Sequence, residues 1–209
     1  MGPVVRIGVL AQSELPKQLE PLIEAIFREQ FGKLNAIVGA EKLTLVGSIE
    51  GRFEEMACIA AIEEGLNLEL APLGQSPELS ETEAMIKYKI HAILAKQPRA
   101  TELVSSVPDA DLIRLCDIMV FAFDKSNLAQ RSKFEEIRDE FLASKLLHAS
   151  LEKLLIEVNC PEHWSPDADG ETYFEYITSA SDRLDICSEI EIPERLMQQW
   201  ANAIPTKSQ

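Results

Sequence analysis

The sequence predicts an α/β fold, a doubly wound, mostly parallel sheet of about five or more strands flanked by helices. Three observations carry this. Short, β-branched apolar runs alternate along the chain with stretches of helical periodicity. Two of those runs, 4–10 and 118–123, are apolar almost throughout, as strands covered on both faces must be. A polar turn separates each of the first two runs from the helix that follows it.

The first expected strand, 4–10, is followed by the polar turn 11–14 and by a helix from Pro16. Leu19, Leu22, Ile23, Ile26 and Phe27 recur there at i, i+3, i+4, i+7 and i+8, the spacing of one buried helical face. Gly32 is the expected C-cap. The pattern repeats with a strand at 43–48, a turn at 49–52, and a helix over 53–64 that buries Met56, Ile59, Ala60 and Ile62 and stops at Gly65. A third strand is expected at 66–70, then a helix over 78–96 with Ile86, Ile90, Ile93 and Leu94 on one face. Segment 98–108 reads as a loop and 109–115 as a short helix. The most apolar run, 118–123, is the fourth expected strand and should lie beside the first. A helix over 132–150 and a fifth strand at 154–158 complete a core of about 4–158, within one domain spanning 1–209. Beyond 158 the alternation weakens, and an extension with one short helix and an edge strand is expected.

The 209 residues include 35 acidic and 20 basic side chains, a net charge of −15. That balance repels phosphate backbones and anionic lipid, so neither nucleic acid nor a membrane is an expected partner. The apolar run 118–123 is far short of the roughly 20 residues of a membrane span. No secretion leader is expected, and Cys58, Cys116, Cys160 and Cys187 form no CxxC pair. A reduced, cytoplasmic protein is the expectation. Cys160 and His163 stand three apart, but a tetrahedral site needs two more close ligands. No metal and no cofactor are expected. His91, His148 and His163 are dispersed, each beside exposed helix or loop residues, and no GxSxG elbow is present.

In doubly wound sheets ligands lie at the carboxyl ends of the strands, which directs attention to three turns. Gln12 and Ser13 follow the first strand, where a helix N-terminus offers unpaired N–H groups to an anion; Ser13 serves equally as a helix cap. Gly47, Ser48, Glu50, Gly51 and Arg52 follow the second. The glycines permit close backbone approach, Arg52 offers a planar fork to a phosphate, and Glu50 or Glu54 could accept from ribose hydroxyls. Glu54 and Glu55 equally stabilise a helix N-terminus. Asp124 stands at the exit of the fourth strand, whereas Asp117 lies at its entrance and closes the turn into it.

These residues carry a resemblance. Arg6-Ile7-Gly8-Val9 followed by Glu14-Leu15 resembles the opening strand and GHRDL-like turn of the SLOG superfamily. Residues 45–51, with Glu50-Gly51 before a helix, resemble its second strand ending in AEGAD. Residues 116–124, CDIMVFAFD, resemble its recurrent cD-[hydrophobic]-AvWDG signature. The resemblance covers roughly three quarters of the chain, about 4–158. It implies a Rossmann-like fold and a pocket for a nucleotide or nucleotide-derived ligand, formed by Gln12 and Ser13, Glu50 and Gly51, and Asp124. The chain departs from the superfamily's phosphoribohydrolases. Ala11-Gln12-Ser13 replaces GHR, Arg52-Phe53 replaces the acidic end of AEGAD, and 125–130 replaces their glycine-rich phosphate loop.

The expected function is therefore a module that binds a nucleotide-like small molecule, in the manner of a signal sensor, with no catalytic residues assigned. Two alternatives stand beside it. One is an enzyme of the N-glycosidase or nucleoside-transferase class, using Glu50, Glu54 or Asp124. The other is a degenerate scaffold acting through protein partners. Beyond the small molecule, the expected partners are a second copy or, for a sensor, a separately encoded effector.

Overall fold

The computed structural model describes residues 4–11, 16–47, 49, 51–72, 81–103, 109–144, 153–160, 174–180 and 183–187, the last two segments as backbone. In chain order the elements are β1 (Val5–Ala11), α1 (Glu20–Val38), a short 3-10 turn, β2 (Leu43–Gly47), α2 (Arg52–Glu63), β3 (Asn67–Leu70) and α3 (Glu81–Leu94). Then come β4 (Ala100–Glu102), α4 (Asp109–Leu115), β5 (Ile118–Phe123), α5 (Leu128–Ala143), β6 (Leu154–Asn159), β7 (Phe174–Ala180) and β8 (Arg183–Cys187). All eight strands join one sheet in the order β4-β3-β2-β1-β5-β6-β7-β8. The first six in that order are parallel, and β7 and β8 extend them antiparallel. This is the expected doubly wound, Rossmann-like α/β architecture.

β1 and β5 are adjacent, with Ile7 opposite Ile118 and Ala11 opposite Ala122. Every residue of β5 and β6 is buried, so both strands are sandwiched, as their unbroken apolar character requires. Side chains alternate between two cores. Val5, Ile7, Val9, Leu45 and Val120 pack with α1 and α2 on one face. Met119, Phe121, Phe123 and Leu155 pack with α4 and α5 on the other. On the first face Phe27 of α1 meets Phe53 of α2 edge-on at 5.0 Å. On the second, Phe134 of α5 stacks on Phe123 at 4.2 Å. Each buried ring contributes about 1.5–3 kcal/mol of apolar burial.

Two features of the central strands are easily overlooked. Gly8 faces α4, and a Cβ there would lie 2.4 Å from Met119 Sδ and 2.8 Å from Cys116 Sγ. Only glycine admits this close packing. Asp117, 2% exposed, ties three strands at their amino ends. Its N–H donates to Arg6 O at 2.9 Å, its carbonyl accepts from Leu154 N–H at 3.1 Å, and its carboxylate accepts from Arg6 N–H at 3.0 Å. Closing the turn into the strand was its expected task.

Several expectations need correction. Gly32 does not end α1, which runs on to Val38 because Leu34 and Val38 continue its buried stripe; that burial outweighs a glycine penalty of about 1 kcal/mol. Termination falls instead to Gly39 at φ 89°, as α2 is stopped by Gly65 at φ 74°, both in the left-handed region that favours glycine. α1 also begins later than Pro16, with Leu19 at the cap position and Glu20 in its first turn. Segment 98–108 is not all loop, since 100–102 pairs with β3. α5 starts a turn early because Asn127 caps it, its side chain accepting from Ala129 and Gln130 N–H. Its expected tail, 145–150, lies outside the described residues. The extension supplies two strands, β7 and β8, where one edge strand was expected. Ile59 and Ile62 are only partly buried. On α3 only Leu94 of the four expected face residues is buried; Ile86 and Ile93 are 51% and 61% exposed. His91 is buried, not peripheral, with Nε2 3.3 Å from Ala71 O.

Replacing Gly8 by Ala forces Met119, Cys116 or α4 to move and should cost about 1–3 kcal/mol, the usual cost of overpacking, measured by urea denaturation. A second prediction concerns Lys153, 1% exposed beneath the Phe141 ring at 4.4 Å. Its ammonium donates to Ser144 Oγ and lies 3.5 Å from Ile113 O. Burial lowers its pKa, and nearby Asp117 offsets that only in part. Between the lowered value and the ordinary lysine value the unfolded chain binds more protons than the folded one. Stability should rise with pH through that window, and Lys153→Met should flatten the rise in denaturation series at different pH.

Candidate functional site

Parallel crossovers put the strand exits on one edge, and the strand order places its switch point between β1 and β5. Chain leaving β1 runs through α1 toward β2, and chain leaving β5 runs through α5 the other way, so a crevice opens between their exits. Of the residues the sequence nominated, Gly47, Gly51, Arg52 and Asp124 fall among those described, at the exits of β2 and β5. Gln12, Ser13, Ser48 and Glu50 lie outside the described residues.

Asp124, 4% exposed, follows β5 directly. Its Oδ1 accepts from Ser126 N–H at 2.8 Å and from Ser126 Oγ–H at 2.6 Å, an Asx turn that fixes the exit loop. Gln130, one turn into α5, reaches back and accepts from Asp124 N–H at 2.9 Å. Asn159, at the end of β6, accepts from Lys125 N–H at 3.2 Å. Lys125 Nζ lies 3.4 Å from the buried Glu157. Asp124 thus organises its own turn as well as standing at the crevice.

Glu54 is the residue whose position the sequence did not disclose. It occupies the third position of α2, where a carboxylate commonly bonds back to its own cap. Here it crosses to the neighbouring strand, and its Oε1 accepts from Ala11 N–H at 3.0 Å. Glu54 is 7% exposed, and its other oxygen would be 2.8 Å from a Cβ on Gly51. Gly51, the extended cap residue of α2, leaves the space in which that carboxylate lies. One buried acid therefore fastens the end of β1 to the start of α2. No local spacing reveals this, because the two residues are 43 apart.

Arg52, the expected cation for a phosphate, is paired with two carboxylates. Its Nε donates to Glu20 at 3.1 Å and its Nη1 to Glu55. Partial burial opposes its charge, and the bonds to these carboxylates outweigh that and raise its pKa. The guanidinium fork is engaged on the outer side of α1 and α2. Glu20 in turn occupies the first turn of α1, where its negative charge complements the helix dipole that an anion would otherwise use.

Gly47 is buried at the end of β2, and a Cβ built on it meets no atom of the described residues within 4 Å. Its direction follows Leu43 and Leu45 toward the α1–α2 face. This open space beside the strand exits is where a ligand could approach the backbone. Two other hollows lack that character. A narrow gap between α1 and the sheet, lined by Ile23, Phe27, Phe53, Val120 and Ile156, has apolar walls apart from Gln30. A groove by Gly65 and 97–100 lies at the opposite, amino-terminal edge, where the Arg99 guanidinium donates to Gly65 O.

Thiol chemistry is suppressed at Cys58, Cys116 and Cys160. Burial, with the Asp124 charge, pushes Cys160 up to about 12. Burial, with Glu54 and Glu55, takes Cys58 to about 12. Cys116 is raised as well, by burial first and by Asp117. None supplies a thiolate at neutral pH. Among the described residues no group of three His, Cys, Asp or Glu side chains could hold a metal ion. No helix among them is long and apolar enough to cross a membrane.

Gly47→Ala should leave stability unchanged or raise it by about 0.4–1 kcal/mol, because its backbone needs no positive φ and the unfolded chain loses freedom. Arg52→Ala should cost about 0.2–1 kcal/mol, the worth of exposed ion pairs. Thermal melts of both variants check these values.

Compared with models of known protein families, with curated proteins and with solved structures, the chain matches none.

Proposed function

We propose that this chain is a binding module for a nucleotide-like small molecule, seated at the carboxyl edge over the exits of β1, β2 and β5. The observation that carries the reading is the buried, open space at Gly47 beside that switch point. The chemistry of the surrounding groups narrows the ligand. Glu54, Asp124 and Glu157 are buried acceptors, while Arg52 is held by two carboxylates and Lys125 lies against Glu157. Such a rim favours ligands rich in donors, such as ribose hydroxyls and exocyclic amines, over ligands rich in phosphate. A nucleoside or a nucleotide with few phosphates fits best.

An N-glycosidic-bond enzyme would need a carboxylate aimed at an anomeric carbon, and of its three candidates Glu50 lies outside the described residues. Glu54 Oε1 and Asp124 Oδ1 are instead bonded to Ala11 and Ser126, which favours binding over catalysis. The outward pairing of Arg52 favours the second reading, a scaffold whose surface meets protein partners.

A thermal-shift series over nucleosides and nucleoside mono-, di-, tri- and cyclic phosphates separates the two. A cognate ligand at 100 times its Kd adds about 2.7 kcal/mol, a rise of roughly 5–10 °C for a chain of this size. The largest shift is expected from a ligand with at most one phosphate, and Gly47→Val should abolish it without lowering the ligand-free midpoint. A shift that grows with phosphate number overturns the ligand class. No shift with any of them leaves the scaffold reading.

A further inference from the structure

The solvent side of α3 carries most of the exposed large apolar side chains among the described residues. Residues 84–101 form the longest stretch of the chain without an aspartate or glutamate, and they hold Lys87, Lys89, Lys96 and Arg99. The chain as a whole carries −15. On this same helix Met85, Ile86, Tyr88 and Ile93 are 53%, 51%, 69% and 61% exposed. Ile86, Ile90 and Ile93 stand at i, i+4 and i+7 and form one ridge, of which only Ile90 is partly buried against the core. Lys89 and Lys96 follow Ile86 and Ile93 by three residues each, and both are exposed. A lysine row thus borders an apolar ridge.

Exposed apolar side chains scattered singly need no explanation, whereas a ridge with one-sided charge has the form of a recognition face. We propose that this face docks an acidic amphipathic helix of a partner protein. The partner's apolar stripe lies along Ile86, Ile90 and Ile93, and its carboxylates meet Lys89 and Lys96. Charge complementarity selects this occupant. A second copy related by a twofold would oppose lysine to lysine across the ridge, and the surplus of carboxylates elsewhere repels an anionic bilayer. The inference does not depend on the small-molecule site, which lies at the strand exits.

The test uses the full chain and a fluorescent synthetic peptide with a leucine ridge and glutamates at its other positions, followed by anisotropy. The same leucine ridge with lysines, and phosphatidylserine vesicles, are the comparison probes. The acidic peptide should bind, and added salt should weaken it. Lys89→Glu with Lys96→Glu should weaken it roughly tenfold or more and remove the salt dependence. Ile86→Ser with Ile93→Ser should abolish binding with the thermal midpoint preserved, because both side chains are mostly exposed. Failure of the acidic peptide to bind overturns the proposal, as does equal binding by the lysine peptide or by the variants. Recruitment to the vesicles in preference to the peptide assigns the face to a membrane. Concentration-dependent self-association lost in the isoleucine variant assigns it to a second copy.

Discussion

The amino ends of the three central parallel strands are tied together by one residue. Asp117 bonds to Arg6 in β1 through both its backbone N–H and its carboxylate, and to Leu154 in β6 through its carbonyl. A parallel pair has no hairpin to set its alignment, and a slip of one residue would turn every side chain to the wrong face. With Ile7 held opposite Ile118, the sheet delivers Ala11 opposite Ala122 at the far end. The relation between the β1 and β5 exits, and so the shape of the crevice, is fixed from the opposite edge.

At that crevice carboxylates do work usually given to backbone turns and cations. Glu54 holds the last amide of β1, and Asp124 holds its own exit loop. A glycine-rich phosphate cradle leaves several N–H groups aimed outward for an anion. Here the Ala11 and Ser126 amides already have acidic partners. Among the described residues the edge thus sets carboxylates against amides that a phosphate site would leave outward, although strand order and crossover geometry are the same.

The strands were legible because their signal is local. Runs such as IMVFAF and LLIEVN are too apolar for anything but a buried position, and polar turns marked their ends. The helices were legible in number but less so at their boundaries. Gly32 looked like a terminator because the sequence does not display that Leu34 and Val38 still face the core. The start of α5 is written in Asn127, whose side chain caps it ahead of the apolar period that begins at Phe134. Strand β4 went unseen because three residues, Ala-Thr-Glu, carry no apolar period. At the site, Asp124 was legible from its place after the most apolar strand. The bond from Ala11 to Glu54 was not, since it joins the end of the first strand to the second α-helix. The engagement of Arg52 by Glu20 depends in the same way on how α1 and α2 pack.

The shallow seating of α3 bears on how the molecule opens. Leu94 and the imidazole of His91 are its only buried side chains among those described, and β4 beyond it is three residues long and largely exposed. The central strands have no exposed face through which to separate singly. Native proteins open in cooperative pieces whose free energies follow local burial. The α3–β4 unit can therefore detach at a small fraction of the global cost while β1, β5 and β6 stay protected. Its backbone amides would exchange with solvent orders of magnitude sooner than those of the central strands, making this corner a thermodynamic soft point beside β1, β5 and β6.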